Sequence, residues 1–240
     1  MQVAFFPGLR RCLLTVLDDR SNNLFMSLSM SSPENARRGR GRPPKRNADE
    51  QETRDVLLRA GVVALTEKGF SATGIDEVLK SVGVPKGSFY HFFASKEAFG
   101  AELIALYADY FIRKLDQFLL DDSLTPLQRI DAFCQDAERG MARFDFRRGC
   151  LVGNLGQEMN ALPQAFRAQV TDVLMDWQAR LERCLEAARS AGEIPKSADC
   201  ASLAAFFWIG WEGAVMRAKL ERHAEPLRLF AKHFRALVAV

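Results

Sequence analysis

Residues 49–95 constrain the chain most tightly: short blocks with apolar residues three and four positions apart are punctuated by glycine and proline. Val56, Leu57, Ala60, Val63 and Ala64 give residues 49–68 one apolar stripe, and Gly69 closes this first helix. Phe70 begins a connection. Thr73 is placed to cap a second, short helix through Leu79 and Lys80, with Asp76 and Glu77 in its first turn, where negative charge suits the helix dipole. Gly83 ends that helix, and Pro85, which has no amide hydrogen to lose, opens a third over PKGSFYHFF. Ser95 then starts a longer fourth helix in which Phe99, Leu103, Leu106, Tyr110 and Leu115 line a buried face. The pattern is helix, turn, helix.

The remainder also reads as helical, with breaks at residues 121–126, 149–156, 162–163 and 192–195 and near Pro226. No segment has convincing strand character, so the expected fold class is all-α. From Pro163 onward, Phe166, Val170, Val173, Leu174, Trp177, Leu181, Cys184 and Leu185 keep a helical period for roughly five turns. A second apolar helix spans residues 202–220, where Leu203, Phe206, Phe207, Gly210, Ala214 and Ala218 form a face of large and small residues. Such a pair can pack against its symmetry mate as a four-helix dimer interface. The expected organisation is a disordered tail over 1–48 with a basic arm at 37–46, a helix-turn-helix domain over 49–110, and a helical ligand-binding and dimerisation domain over 111–240.

The 240 residues carry 33 basic and 30 acidic side chains, a net charge of +3, so overall charge does not mark a nucleic-acid binder. Its distribution does. RRGRGRPPKR, from Arg37 to Arg46, holds six basic residues and no acid. The five cysteines, Cys12, Cys134, Cys150, Cys184 and Cys200, are scattered without a CxxC pair, which argues against a disulfide framework or zinc module and for a reduced, cytoplasmic setting. The opening MQVAFFPGLRRCLLTVLDD has an apolar core of only about six residues before Asp18 and Asp19, too short for export, and no run approaches the roughly 20 residues of a membrane helix. Residues 1–35 read as a tail, with Met26 or Met30 as alternative starts. No metal or cofactor is expected.

The run ALTEKGFSATGIDEVLKSVGVPKGSFYHFFASKEAF, within residues 53–103, resembles the DNA-binding domain of the TetR/AcrR repressor family in its order of glycines, apolar residues and GSFYHFF segment. The resemblance implies an all-helical homodimer whose three N-terminal helices read double-stranded operator DNA. A larger C-terminal domain would hold the inducer and the dimer contacts. A recognition helix meets bases and phosphates with its N-terminal residues. Lys86, Ser88, Tyr90 and His91 are therefore candidates for phosphate or base contacts, Gly87 permits close backbone approach, and Thr73 and Lys96 are candidate clamps on flanking phosphates. Phe89 and Phe92 are expected to pack the small domain. Arg37, Arg38, Arg40 and Arg42 read either as an arm following an adjacent minor groove or as a solubilising tail, and the neighbouring DNA-binding domain favours the arm.

A second block, RRGCLVGNLGQEM (residues 147–159), resembles the ligand-domain segment of TetR-family regulators that sense small electrophiles and related carboxylates. Cys150 lies in a glycine-rich break where a helix can begin and its dipole favour a thiolate, with Arg148 or Lys219 as a nearby cation. Two readings stay open: a sensing thiol that adds to an activated alkene, or a small buried residue filling space. Cys134, Cys184 and Cys200 read as packing residues. Trp208, Trp211, Glu212, Arg217 and Lys219 form another cluster able to line a pocket, with Trp177 and Phe166 from a facing helix. Core or dimer packing is the rival reading for the tryptophans. Asn154, Gln157 and Glu158 can supply hydrogen bonds, though Asn154 can equally cap a helix.

The leading expectation is a repressor released from its operator by a small carboxylate or electrophile such as acrylate or a derivative. The alternatives are a ligand-independent DNA-binding protein and a cysteine enzyme. The second is disfavoured because the three histidines, His91, His223 and His233, put no evident base near Cys150, and no P-loop, HExxH or dinucleotide fingerprint occurs.

Overall fold

The computed structural model of this chain describes residues 46–239. The basic arm with Arg37, Arg38, Arg40 and Arg42, Cys12 and the reading of residues 1–35 lie outside the described residues. Nine α-helices follow one another and no strand occurs among the described residues. They are α1 (Arg46–Lys68), α2 (Ile75–Ser81), α3 (Phe89–Phe92), α4 (Lys96–Leu119), α5 (Pro126–Ala142), α6 (Leu151–Gln157), α7 (Gln164–Ser190), α8 (Cys200–Glu221) and α9 (Glu225–Val238). The all-α expectation holds.

Local capping chemistry explains most boundaries. Ser95 caps α4 by accepting from the Ala98 amide at 3.1 Å, as anticipated. Thr125 and Gln128 form a reciprocal capping box ahead of Pro126 at the start of α5. Gly69, at φ +82°, turns the chain out of α1. Three expectations need correction. Gly74, not Thr73, occupies the N-cap of α2. Pro85 precedes a single 3₁₀ turn, Lys86–Ser88, that leads into the four-residue α3, so PKGSFYHFF is not one continuous α-helix. The break expected over residues 149–156 falls earlier, between Ala142 and Leu151, and α6 runs through Gly153 and Gly156. Helix α4 also continues unbroken across residue 110.

In the N-terminal unit, Leu57, Val62, Leu65, Val78, Phe89, Phe93, Phe99 and Leu103 are buried together, with Phe93 and Phe99 ring centroids 4.6 Å apart. Aromatic pairs at this separation contribute about 0.5–1.5 kcal/mol beyond their buried area. In the larger unit α7 lies along α8 and α4, while α9 covers α8. Its centre is aromatic: Trp177 sits 4.2 Å from Phe111 and 5.1 Å from Trp208, and Phe207 stacks on Trp211. The short helix α6 packs on both α1 and α7, so it joins the two units.

Candidate DNA face and ligand cavity

The turn from α2 to α3 presents the polar groups anticipated for DNA. Lys86, Tyr90 and His91 project into solvent, and a Cβ at Gly87 would meet nothing within 4 Å. Ser88 is half-buried. Lys86 makes a 2.8 Å exposed ion pair with Asp76, which holds its ammonium charged. Such a pair is worth little in water and can exchange for a phosphate. Lys96 begins α4 with its ammonium 4.5 Å from the centroid of Phe70. Phe89 is fully buried and Phe92 half-buried, as expected of residues that hold the face in place. Thr73 departs from its expected role as a phosphate clamp. It is buried, and its hydroxyl donates to the Gly69 carbonyl at 2.6 Å, which ties the α1–α2 connection together instead.

A cavity of about 120 Å³ opens between α4, α5, α8 and the loop before α6. It is far below the roughly 300–1,000 Å³ typical of pockets for drug-sized ligands, so its scale suits a molecule of a few heavy atoms. Four anticipated residues, Arg148, Cys150, Trp211 and Glu212, line it. Asn154, Gln157, Glu158, Phe166, Trp177, Trp208, Arg217 and Lys219 do not. Trp177 and Trp208 are packed in the aromatic core behind it, their indole nitrogens buried without a hydrogen-bond partner. Asn154 and Lys219 turn away toward α1. The wall also includes Tyr107, Tyr110 and Lys114 from α4 and Met141 and Phe144 at the end of α5, none of them anticipated as ligand contacts. Tyr107, Tyr110 and Lys114 share one helical stripe, a signal present in the sequence but indistinguishable there from a core-facing stripe.

The electrostatics of the wall differ from expectation. Cys150 is the N-cap of α6, and its sulfur accepts from the Gly153 amide at 3.4 Å. Burial, and next the neighbouring Glu212, nevertheless push its pKa well up, so the resting group is a thiol rather than a dipole-stabilised thiolate. The cations do not reverse this. Arg148 pairs with Glu67 at 3.1 Å and stacks 3.9 Å over Phe144, while Lys114 pairs with Asp136 at 2.6 Å. Burial raises the Glu212 carboxyl to about 7, against a partly opposing hydrogen bond from Cys150. Gly153 makes room for it: a Cβ there would collide with the Glu212 carboxylate. Cys134 and Cys184 are buried in the helical core, the latter pushed up to about 11, and Cys200 is buried at the start of α8.

Beside the cavity, α6 grips the end of α1. Backbone carbonyls in the last turn of a helix have spare acceptor capacity, and here groups from the larger unit fill it. Asn154 Nδ2 donates to the carbonyls of Leu65 at 2.8 Å and Thr66 at 3.0 Å. The Gly149 amide and Lys219 Nζ donate to the same Thr66 carbonyl at 3.0 and 3.2 Å. Glu158 accepts from the Ser71 amide at 2.8 Å, over a glycine, Gly69, that cannot carry a Cβ without striking it.

A small helix-turn-helix unit clasped to a larger helical unit is the arrangement of a bacterial transcriptional regulator. Comparison with known sequences agrees. The family described as "Bacterial regulatory proteins, tetR family" matches residues 57–103, and "Tetracyclin repressor-like, C-terminal domain" matches residues 126–234. The chain is 52% identical to the transcriptional regulator AcuR of Cereibacter sphaeroides over 85% of its own length and 94% of the relative's. It is 30% identical to the HTH-type transcriptional repressor NemR of Escherichia coli over 79% of its length and 96% of the relative's. A crystal structure of a regulatory protein TetR from Rhodobacter sphaeroides superposes with a TM-score of 0.75 at 53% identity, over 77% of this chain and 97% of that one. The chain therefore belongs to the TetR family of transcriptional regulators, and it is not an enzyme. No helix among the described residues is long and apolar enough to cross a membrane.

Proposed function

We propose that this regulator is a homodimeric repressor that leaves its operator when a small carboxylate or electrophile, such as acrylate or a derivative, occupies the cavity against Cys150. The observation that carries this reading is continuity. Gly149 and Cys150 form the cavity wall, and the same segment donates to the last-turn carbonyl of α1, the first helix of the DNA-binding unit. A ligand that displaces this wall changes the angle at which α1 and the recognition segment are held, and so the spacing of two such segments over successive major grooves. The name of NemR, a transcriptional repressor, supports repression.

Dimerisation draws support from α8. Phe206, Ile209, Met216 and Leu220 stand exposed along one stripe, with Ile209 77% and Leu220 75% accessible, and Met175 of α7 is also exposed. A contiguous exposed apolar stripe of this kind marks an interface. On the DNA face, Lys86, Tyr90, His91 and Ser88 would contact the duplex, with Gly87 permitting close backbone approach and Lys96 flanking. Arg40 and Arg42 would extend the contact from the basic arm. The deciding experiment measures operator binding by the purified dimer, titrated with acrylate and related electrophiles, for wild type and Cys150→Ser. Release of wild type alone supports a thiol-dependent switch, whereas equal release makes the ligand noncovalent. Release by none of the compounds refutes the ligand assignment.

A further inference from the structure

Sequence reading found no base for Cys150, because the three histidines lie elsewhere; the fold supplies one from α8. Glu212 is the one acid on the cavity wall among the described residues, and its carboxylate and the Cys150 side chain both lie against Gly153. Gly153, one turn into α6, lacks the Cβ that would separate the carboxylate from this sulfur. Tyr107, held as a phenol by burial, lines the same cavity beside them. A nucleophile, an acceptor for its proton and a phenol donor thus converge on one small cavity.

We propose that Glu212 is the base that activates Cys150 toward a small α,β-unsaturated carbonyl compound. This rests on the sensing role given to Cys150 above and narrows its ligand class. In the step, the Cys150 S–H proton passes to the Glu212 carboxylate while the sulfur forms a bond to the β-carbon of the alkene. The π pair moves onto the α-carbon and carbonyl oxygen as an enolate, and the proton held by Glu212 then returns to the α-carbon. The net change is addition of S–H across C=C, with no leaving group and no change in redox state outside that addition.

The groups facing Glu212 across the cavity are Cys150 at the start of α6, Tyr107, Tyr110 and Lys114 on α4, and Arg148 in the loop. The test follows adduct formation at Cys150 of the full chain by intact-protein mass spectrometry, from about pH 5.5 to 9. Acrylamide is the probe, its rate with the protein being divided by its rate with N-acetylcysteine. In wild type the acrylamide rate should climb through an inflection near 7, the value of Glu212. Glu212→Gln should lose the inflection and react about a hundredfold more slowly near pH 8, the usual scale for a general base. If the carboxylate acted only through its charge, the variant would react faster, since that charge raises the thiol pKa; an equal or faster rate overturns the proposal. Should Glu212→Gln not fold by circular dichroism, the wild-type profile decides, and a profile without the inflection overturns it. Absence of any Cys150 adduct in wild type removes covalent sensing and the base together, whereas adduct formation with unchanged Glu212→Gln kinetics removes the base alone.

Discussion

Asn154→Ala is the perturbation that most directly separates structural support from signalling. The side chain makes two hydrogen bonds to last-turn carbonyls of α1, at 2.8 and 3.0 Å. At about 0.5–1.5 kcal/mol net per bond, their loss is worth about 1–3 kcal/mol. The lower part of that range applies, because neither acceptor is left bare: Leu65 keeps the Gly69 amide at 3.1 Å, and Thr66 keeps Gly149 and Lys219. A loss of about 1–2 kcal/mol should lower the melting temperature by roughly 2–8 °C for a chain of this size. The same contacts tie the cavity wall to the DNA-binding unit, so the coupling free energy should shrink with them. In an anisotropy titration, the ratio of operator Kd with and without the compound that releases wild type should fall by roughly 5–30-fold. A lowered melting temperature with an unchanged Kd ratio would refute the clasp as the route of coupling and leave it as a packing contact.

Lys86→Ala should weaken operator binding about equally across operator variants and reduce the slope of log K against log salt by about 1 per protomer, the mark of a phosphate contact. A change confined to one base position would instead assign Lys86 to base reading. Ile209→Asp places a charge in the exposed stripe of α8 and should shift the protein from dimer to monomer in sedimentation velocity; a dimer unaffected by it would move the interface elsewhere. Glu212 has a folded pKa of about 7 against an ordinary 4.5, so its contribution to stability is full below 4.5 and is lost as pH rises through 7. Glu212→Gln should therefore gain on wild type in urea unfolding between about pH 5 and pH 8, by up to about 3 kcal/mol. A pH-independent difference would contradict the burial of that carboxyl.

The helix-turn-helix unit was legible in the sequence because its determinants are local. Gly69, Gly83, Pro85 and Ser95 act through their own backbone and the next turn, and the apolar stripes between them have few ways to pack in so short a span. The misplaced cap at Thr73 shows where local reasoning stops: its hydroxyl found the Gly69 carbonyl, four residues back, in a connection whose path is set by α1 packing on α2. The exposure of Lys86, Gly87, Tyr90 and His91 was legible because, on a short amphipathic segment, it follows from the buried stripe opposite.

The cavity was not recoverable in the same way. Helical period shows that Trp177, Trp208, Trp211 and Glu212 lie on inward-facing stretches, but an inward stripe can meet core, cavity or partner, and only the crossing of helices distant in sequence decides among them. Trp208 and Trp211 are three residues apart on α8; one fills the core beside Trp177 and Phe111, the other borders the cavity. Residues 147–159 by themselves determined that a helix would begin beside Cys150. The tertiary structure decided that Glu212, 62 positions along the chain, would meet its sulfur. Burial and that carboxylate then outweigh the helix terminus, since desolvation acts on the whole charge of a thiolate, whereas the terminus of a helix offers only about half a unit of opposite charge.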